Sequence, residues 1–194
     1  MSKQILHIDS SIFGAKGYSS QLSAELVAKL QHELGDTTLT YHSLAEENVP
    51  HFSAQTIADI GEGAADLADR FINEVQAADY LVLSAPMYNF AVPSQLKSWF
   101  DYIARAGVTF KYGENGPVGL LKNKKVYVVT TRGGFHRNSN TDSESQWLKT
   151  MLGFLGMNDV EFIYAEGLNI EGEKDKGLSA AKQHITAITS KEVA

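Results

Sequence analysis

Tyr80-Leu81-Val82-Leu83-Ser84-Ala85-Pro86-Met87-Tyr88-Asn89-Phe90-Ala91-Val92-Pro93-Ser94-Gln95-Leu96-Lys97 reads as a buried strand, an aromatic loop and the start of a helix. Tyr80 to Ser84 is the apolar run of a strand, and Pro93 suits the first turn of a helix, where a missing N–H costs nothing. Such a loop lies at the carboxyl edge of a sheet. Open α/β folds bind ligands at that edge, so Met87, Tyr88, Asn89 and Phe90 there suggest the lining of a site for a flat aromatic ligand. The competing reading is a hydrophobic loop packed on its own helix.

On either side of this stretch, strand-like runs at Ile5–Ile8, Leu39–His42, Lys125–Thr131 and Val160–Ala165 alternate with helical patterns. In the first helix Leu22, Leu26, Leu30 and Leu34 form a stripe with Val27 beside them, while Gln21, Glu25, Lys29 and Glu33 face away. Further helical patterns run through Glu62–Ala77, Ser94–Ala106, Ser143–Leu155 and Asp175–Ser190. Five β and five α segments in alternation predict a doubly wound parallel sheet with helices on both faces, the flavodoxin-like order 2-1-3-4-5 among the few arrangements open. No repeat or composition break marks a second domain, so residues 1–194 are expected to form one.

Composition narrows the function. Seventeen basic against 23 acidic residues give a net charge of −6, with no Lys/Arg stripe to neutralise a phosphate backbone, which argues against nucleic-acid binding. Met1-Ser2-Lys3-Gln4-Ile5 enters a strand directly and no apolar run reaches membrane-spanning length, so a soluble cytoplasmic protein is expected. With no cysteine there is no thiolate nucleophile, Cys-ligated metal or disulfide. Redox chemistry would need a borrowed cofactor.

Two more strand-to-helix loops should reach the same edge. Asp9-Ser10-Ser11-Ile12-Phe13-Gly14-Ala15-Lys16-Gly17-Tyr18-Ser19-Ser20 offers hydroxyls, glycines and a helix N-terminus, the chemistry that holds a phosphate monoester. It has neither G-x-G-x-x-G nor a Walker sequence, and Ser19 or Ser20 reads equally well as a plain N-cap. Thr130-Thr131-Arg132-Gly133-Gly134-Phe135-His136 carries paired glycines that let backbone N–H groups approach a ligand, though an ordinary glycine turn would look the same. Together the three loops describe a site for a ring system with a phosphorylated tail, the shape of FMN. His136 is the histidine placed to donate a proton. His7 and His42 fall in strands, His32 and His184 on helix surfaces, and no metal set emerges.

Met87-Tyr88-Asn89-Phe90, Pro93-Ser94-Gln95-Leu96-Lys97, Ala104-Arg105-Ala106-Gly107-Val108-Thr109-Phe110-Lys111-Tyr112, Gly116-Pro117 with Gly119-Leu120, and Thr131-Arg132-Gly133-Gly134 resemble, in order along nearly the whole chain, the FMN-dependent NADH-azoreductases. The resemblance implies a homodimeric flavodoxin-like fold, one FMN per subunit, NADH as hydride donor, and quinones or azo compounds as acceptors. It places Ser11, Ser19 and the backbone of Gly17 and Tyr18 on the FMN phosphate. Met87, Tyr88, Asn89 and Phe90 would line the ring, with Thr131, Arg132, Gly133 and Gly134 on its polar edge. Tyr112, His136 and Phe154 become candidates for the acceptor pocket, Phe154 also reading as core beside Leu152 and Leu155.

Two departures stand out. Many relatives carry a hydroxyl residue where this chain has Gly17, which bears on FMN retention, and Thr131 replaces a commoner Ser. The segment Val108–Pro117 reads as an aromatic excursion turned at Asn115-Gly116. A flavodoxin-like one-electron carrier is the rival reading. A hydrolase lacks its G-x-S-x-G elbow.

Overall fold

The computed structural model describes residues 2–188. Five parallel strands, β1 (Lys3–Asp9), β2 (Thr37–Ser43), β3 (Tyr80–Ser84), β6 (Lys125–Thr131) and β7 (Asp159–Ala165), form one sheet in the order β2-β1-β3-β6-β7. That is the predicted 2-1-3-4-5 order, with a two-stranded antiparallel hairpin, β4 (Phe110–Gly113) and β5 (Gly116–Gly119), inserted before the fourth sheet strand. Helices α1 (Tyr18–Leu34), α2 (Ala54–Glu62), α3 (Asp66–Ala77), α4 (Ser94–Ile103), α5 (Ser143–Leu155) and α6 (Lys174–Ala187) accompany it.

Both faces of the sheet are covered, which is why its central strands are apolar at consecutive positions. Leu6, Ile8, Leu81, Leu83, Val126 and Val128 point into one core with α3, α4 and α5. Ile5, Tyr80, Val82, Tyr127 and Val129 point into the other, against Leu22, Leu26 and Leu30 of α1 and Ala181 and Ile185 of α6. Truncating one of these buried aliphatic side chains to Ala costs about 2–5 kcal/mol. Two histidines of the strands, His7 and His42, fasten the frame. His7 Nε2 pairs with Ser23 Oγ at 2.9 Å, and His42 lies between Glu47 and Glu74 at 2.6 and 2.7 Å.

Strands β1, β2 and β7 run one or two residues beyond the expected limits and α6 ends at Ala187; three differences are larger. The pattern assigned to Glu62–Ala77 is the end of one helix and the whole of another. Ser53 and Thr56 form a capping box that starts α2, and Gly63 ends it in the left-handed conformation (φ 73°), its N–H returning to Asp59 and Ile60. The helix expected to reach Ala106 stops at Ile103, because Thr109 Oγ1 donates to Ile103 O at 2.6 Å and accepts from Arg105 N at 2.8 Å, turning the chain. In the hairpin, Gly113 pairs with Gly116, so Glu114 and Asn115 form the turn rather than Asn115 and Gly116. Met1, and the last two residues of the predicted Asp175–Ser190 helix, lie outside the described residues. No helix among the described residues is long and apolar enough to cross a membrane.

Candidate active site at the carboxyl edge

Strand register brings the three loops together. Asp9 pairs with Ser84, Ser84 with Val129, and Thr131 with Ala165, so all the strand ends emerge at one level. Met87 N donates to Thr131 O at 3.0 Å, which joins the second loop to the third, and Ser10 Oγ donates to Ser84 O at 2.6 Å, which joins the first to the second.

The first loop is held from beneath by a carboxylate. Asp9 Oδ1 accepts from Ser11 N at 3.1 Å and from Ser20 Oγ at 2.8 Å. This decides the question of the cap. Gly17 occupies the N-cap position of α1, with no side-chain cap bond, Ser20 is committed to Asp9, and Ser19 Oγ is buried with no hydrogen-bond partner among the described residues. A buried hydroxyl costs free energy unless something satisfies it, and an anion at the positive end of α1 would do so. Gly17 has a steric reason as well. A Cβ there would stand 2.1 Å from Ser11 Oγ, so the Ser11 hydroxyl fills the space that a side chain at 17 would take. Ser11, Gly17, Tyr18 and Ser19 wall a cavity of about 280 Å³ with Met87, Tyr88, Thr131 and Gly133. An unsatisfied buried hydroxyl, close backbone approach and a helix N-terminus fit a phosphate monoester.

A second cavity, about 630 Å³ and mainly apolar, lies on the other side of Tyr88, which walls both. Asn89, Phe90, Val92, Pro93 and Trp147 contribute to it, with Ile12 reaching over from the first loop. Its floor is a tight turn. Tyr88 and Ala91 exchange backbone hydrogen bonds at 2.9 and 3.1 Å, and Asn89 and Phe90 between them both have positive φ, 51° and 65°. Asn adopts this conformation readily, whereas Phe does so at a cost of about 1–2 kcal/mol. The strain is held by Ser143 Oγ, which donates to Phe90 O, and by His136, whose ring meets Phe90 edge-on at 5.6 Å.

The third loop is fastened to the segment after β7. Arg132 N donates to Ala165 O, Leu168 N to Arg132 O and Asn169 N to Gly133 O. A Cβ on Gly133 would stand 2.6 Å from Asn169 Nδ2, so this glycine makes room for an amide that no sequence motif singles out. Asn169 and Leu168 wall the smaller cavity, and only the topology, which returns the chain past Gly133, reveals them. Gly134 walls neither cavity; its carbonyl accepts from Gly167 N at 3.1 Å.

Arg132 also walls the smaller cavity, though not through its charge. Its guanidinium is buried among Asp142, Glu144 and Glu166 at 2.8, 3.1 and 3.4 Å, so its charge is spent on fixing loops rather than on a ligand. Burial pushes the Glu144 carboxyl up to about 7 even with Arg132 and Thr130 pulling it down. Asp142 goes the other way. Burial raises it, but hydrogen bonds from Ser145, Arg132 and the N–H of Asn138 hold it below the ordinary carboxylate range.

Tyr112 and Phe154 are not brought to either cavity. Tyr112 is 79% exposed on the hairpin, and Phe154 packs its ring on Phe110 at 4.4 Å beside the core. His136 walls neither cavity either; it stands behind the turn, its ring against Phe90 and its Nδ1 bonded to Thr141 Oγ1 at 2.8 Å.

Comparison with known proteins agrees with this geometry. The flavodoxin-like fold family matches residues 3–188. An FMN-dependent NADH:quinone oxidoreductase of Saccharophagus degradans is 55% identical over 99% of this chain and 96% of its own. An azoreductase structure from Bacillus anthracis superposes with a TM-score of 0.88 at 25% identity, covering 97% of this chain and 99% of that one. The FMN complex of an FMN-dependent NADH-azoreductase from the same species has the same fold, with a TM-score of 0.85 at 23% identity over 94% and 95% of the two chains. The chain therefore belongs to the flavodoxin-like fold family, on the branch of its FMN-dependent NADH:quinone oxidoreductase relatives.

Proposed function

We infer that this protein is an FMN-dependent NADH:quinone oxidoreductase that also accepts azo compounds, working as a cytoplasmic homodimer with residues 1–194 as one FMN-binding domain. The observation that carries the reading is the meeting, at Tyr88, of a polar cradle with an unsatisfied hydroxyl and an apolar cavity floored by a strained aromatic turn. The 55% identical relative supports the activity.

Ser11, Ser19 and the N–H of Tyr18 would hold the phosphate of FMN, Gly17 giving room while its own N–H donates to Gly14 O at 2.9 Å, and Met87, Tyr88, Asn89 and Phe90 would bound its ring. Thr131 and Gly133 would stand at the polar edge, kept in place by Arg132 and Asn169. When bound, FMN supplies two-electron hydride chemistry between NADH and an acceptor. The chain's own part is to orient flat rings against each other at near-attack distance and to keep water out with Trp147, Phe90 and Val92. Asn89 is able to donate or accept at a ring edge, and His136 stands beside the turn as a proton carrier. NADH and acceptor use the one pocket in turn, a ping-pong sequence. Tyr112 and Phe154, distant from both cavities of their own subunit, would reach an acceptor only across a dimer. Initial rates at several fixed quinone concentrations test this reading: parallel double-reciprocal lines are expected, and lines that intersect would contradict it.

A further inference from the structure

The cradle in the smaller cavity is short of both donors and positive charge for the anion it is shaped to hold. Position 17 offers nothing to a ligand. A Cβ there would stand 2.1 Å from Ser11 Oγ, so it carries no side chain, and its N–H already donates to Gly14 O at 2.9 Å. The ladder of α1 begins with Gln21 N donating to Gly17 O at 3.0 Å, which leaves the N–H groups of Tyr18 and Ser19 outside it. Beneath them lies a carboxylate rather than a cation: Asp9 is 2% exposed and bound to Ser11 N and Ser20 Oγ. A phosphate monoester brings about 1.5 to 2 further negative charges at pH 7, and the helix end opposes them with only about half a positive charge.

Two cations belong to the wall of this cavity, Lys16 and Arg132. The guanidinium of Arg132 faces three carboxylates, those of Asp142, Glu144 and Glu166. Lys16 is different: it is exposed, and its ammonium has no ion pair or hydrogen bond among the described residues.

The main chain of Lys16 is fixed although its ammonium has no partner. The residue ends a short 3₁₀ turn, Gly14–Lys16. Its N–H donates to Phe13 O at 3.3 Å and its carbonyl accepts from Gln21 Nε2 at 3.2 Å. The next residue is the N-cap of α1, and the first turn of that helix holds no acidic side chain. A cation beside the positive end of a helix is unfavourable on its own. An anion seated between the two reverses the sign of that interaction.

We propose that Lys16 is a further binding residue for the phosphate of FMN, the charge partner by which this chain selects the phosphorylated flavin over riboflavin. Its ammonium, on a flexible four-carbon stem, supplies the charge-assisted hydrogen bond that position 17 does not, and it offsets the Asp9 carboxylate under the loop. Lys174 does not take this part. It lies over the Tyr18 ring, 4.6 Å from its centroid, and outside the cavity wall.

This inference rests on the FMN reading of the cradle, and one set of titrations separates the two. The full chain, freed of flavin, is titrated with FMN and with riboflavin by flavin fluorescence, at about 50 and about 300 mM salt. The wild type is expected to bind FMN more tightly than riboflavin, and less so at the higher salt. Lys16→Met keeps the stem and removes the charge. It is expected to raise the FMN Kd about tenfold at the lower salt, the size of one charge-assisted hydrogen bond, and to leave the riboflavin Kd within about twofold. The salt dependence of FMN binding should shrink in the same variant, because the interaction removed is the one that salt screens. Lys16→Arg should restore both. Lys122→Met, which removes an equal charge in the cavity at the amino edge, should change neither. Equal losses of FMN and riboflavin in Lys16→Met would show that the residue only shapes the loop, and an unchanged FMN Kd would show that it does not meet the phosphate; either result overturns the proposal. A wild type that binds FMN no more tightly than riboflavin would overturn the reading of the cradle itself.

Discussion

Two cavities of nearly the same volume, about 640 Å³ and 630 Å³, lie at opposite ends of the sheet, and their walls differ in kind. At the amino edge Lys3, Lys124 and Lys125 each have partners. Lys3 reaches Asp79 at 3.7 Å, Lys125 meets Asp159 and Glu161 at 2.9 and 3.3 Å, and Lys124 donates to the carbonyls of Gln76 and Ala78 at the end of α3. At the carboxyl edge three buried oxygens, on Ser19, Ser84 and Glu144, have no partner among the described residues, and a Phe is held in a left-handed turn. Volume does not separate the two. Unsatisfied buried groups and backbone strain do, because a folded chain retains such costs where a ligand or a reaction offsets them.

The largest effect that this contrast predicts is at Gly17. Gly17→Val would displace Ser11 from the cradle and cost about 3 kcal/mol of FMN binding, the worth of one or two hydrogen bonds to a charged group, or roughly a hundredfold in Kd. Lys122→Ala at the amino edge is expected to leave the same Kd within about twofold. Flavin fluorescence quenching measures both, and equal losses would erase the distinction between the two ends.

Asn89→Ala comes next. The change removes an edge contact and puts Ala in a positive-φ position, with an expected loss of about tenfold in hydride transfer from NADH, measured in a stopped-flow instrument. Asn89→Gly relieves the backbone alone. If Gly restores the rate, the side chain has no part in the site and the turn matters only as geometry.

The smallest effect concerns pH. Burial lowers His7 to about 4, the Asp9 charge opposing it, so the folded chain binds fewer protons than the unfolded one between about 6.5 and 4, and stability is lost as pH falls through that window. Glu144, raised by burial to about 7 from 4.5, has the opposite sign: its contribution is present below 4.5 and lost as pH rises to 7. The two oppose each other in the wild type. Against it, Glu144→Gln should make Tm climb more steeply from pH 4.5 to 6.5, and His7→Gln should make Tm decline over the same range. Thermal melts across that range check both slopes.

What the sequence made legible follows from which forces are local. Tyr80–Ser84, Lys125–Thr131 and Ser143–Leu155 were predicted with the observed limits, since their apolar patterning is set by the core that each one faces. Where an end is set by a long-range or irregular contact, the pattern misled: Thr109 stops α4 from six residues on, and Gly63 splits a run that reads as one helix. At the site, the loop residues were visible because their types are unusual for turns. Asn169 and Glu144 were not, because one owes its position to the return of the chain past Gly133 and the other to an Arg whose side chain turns inward.

The most direct test of the account is to load the protein with FMN, remove the excess and add NADH without oxygen while recording the visible spectrum. Retained yellow colour that bleaches in one two-electron step is expected. Loss of the colour on removing excess FMN would contradict the assignment of the carboxyl-edge cradle, and retained colour that NADH does not bleach would point instead to a one-electron carrier built on the same fold.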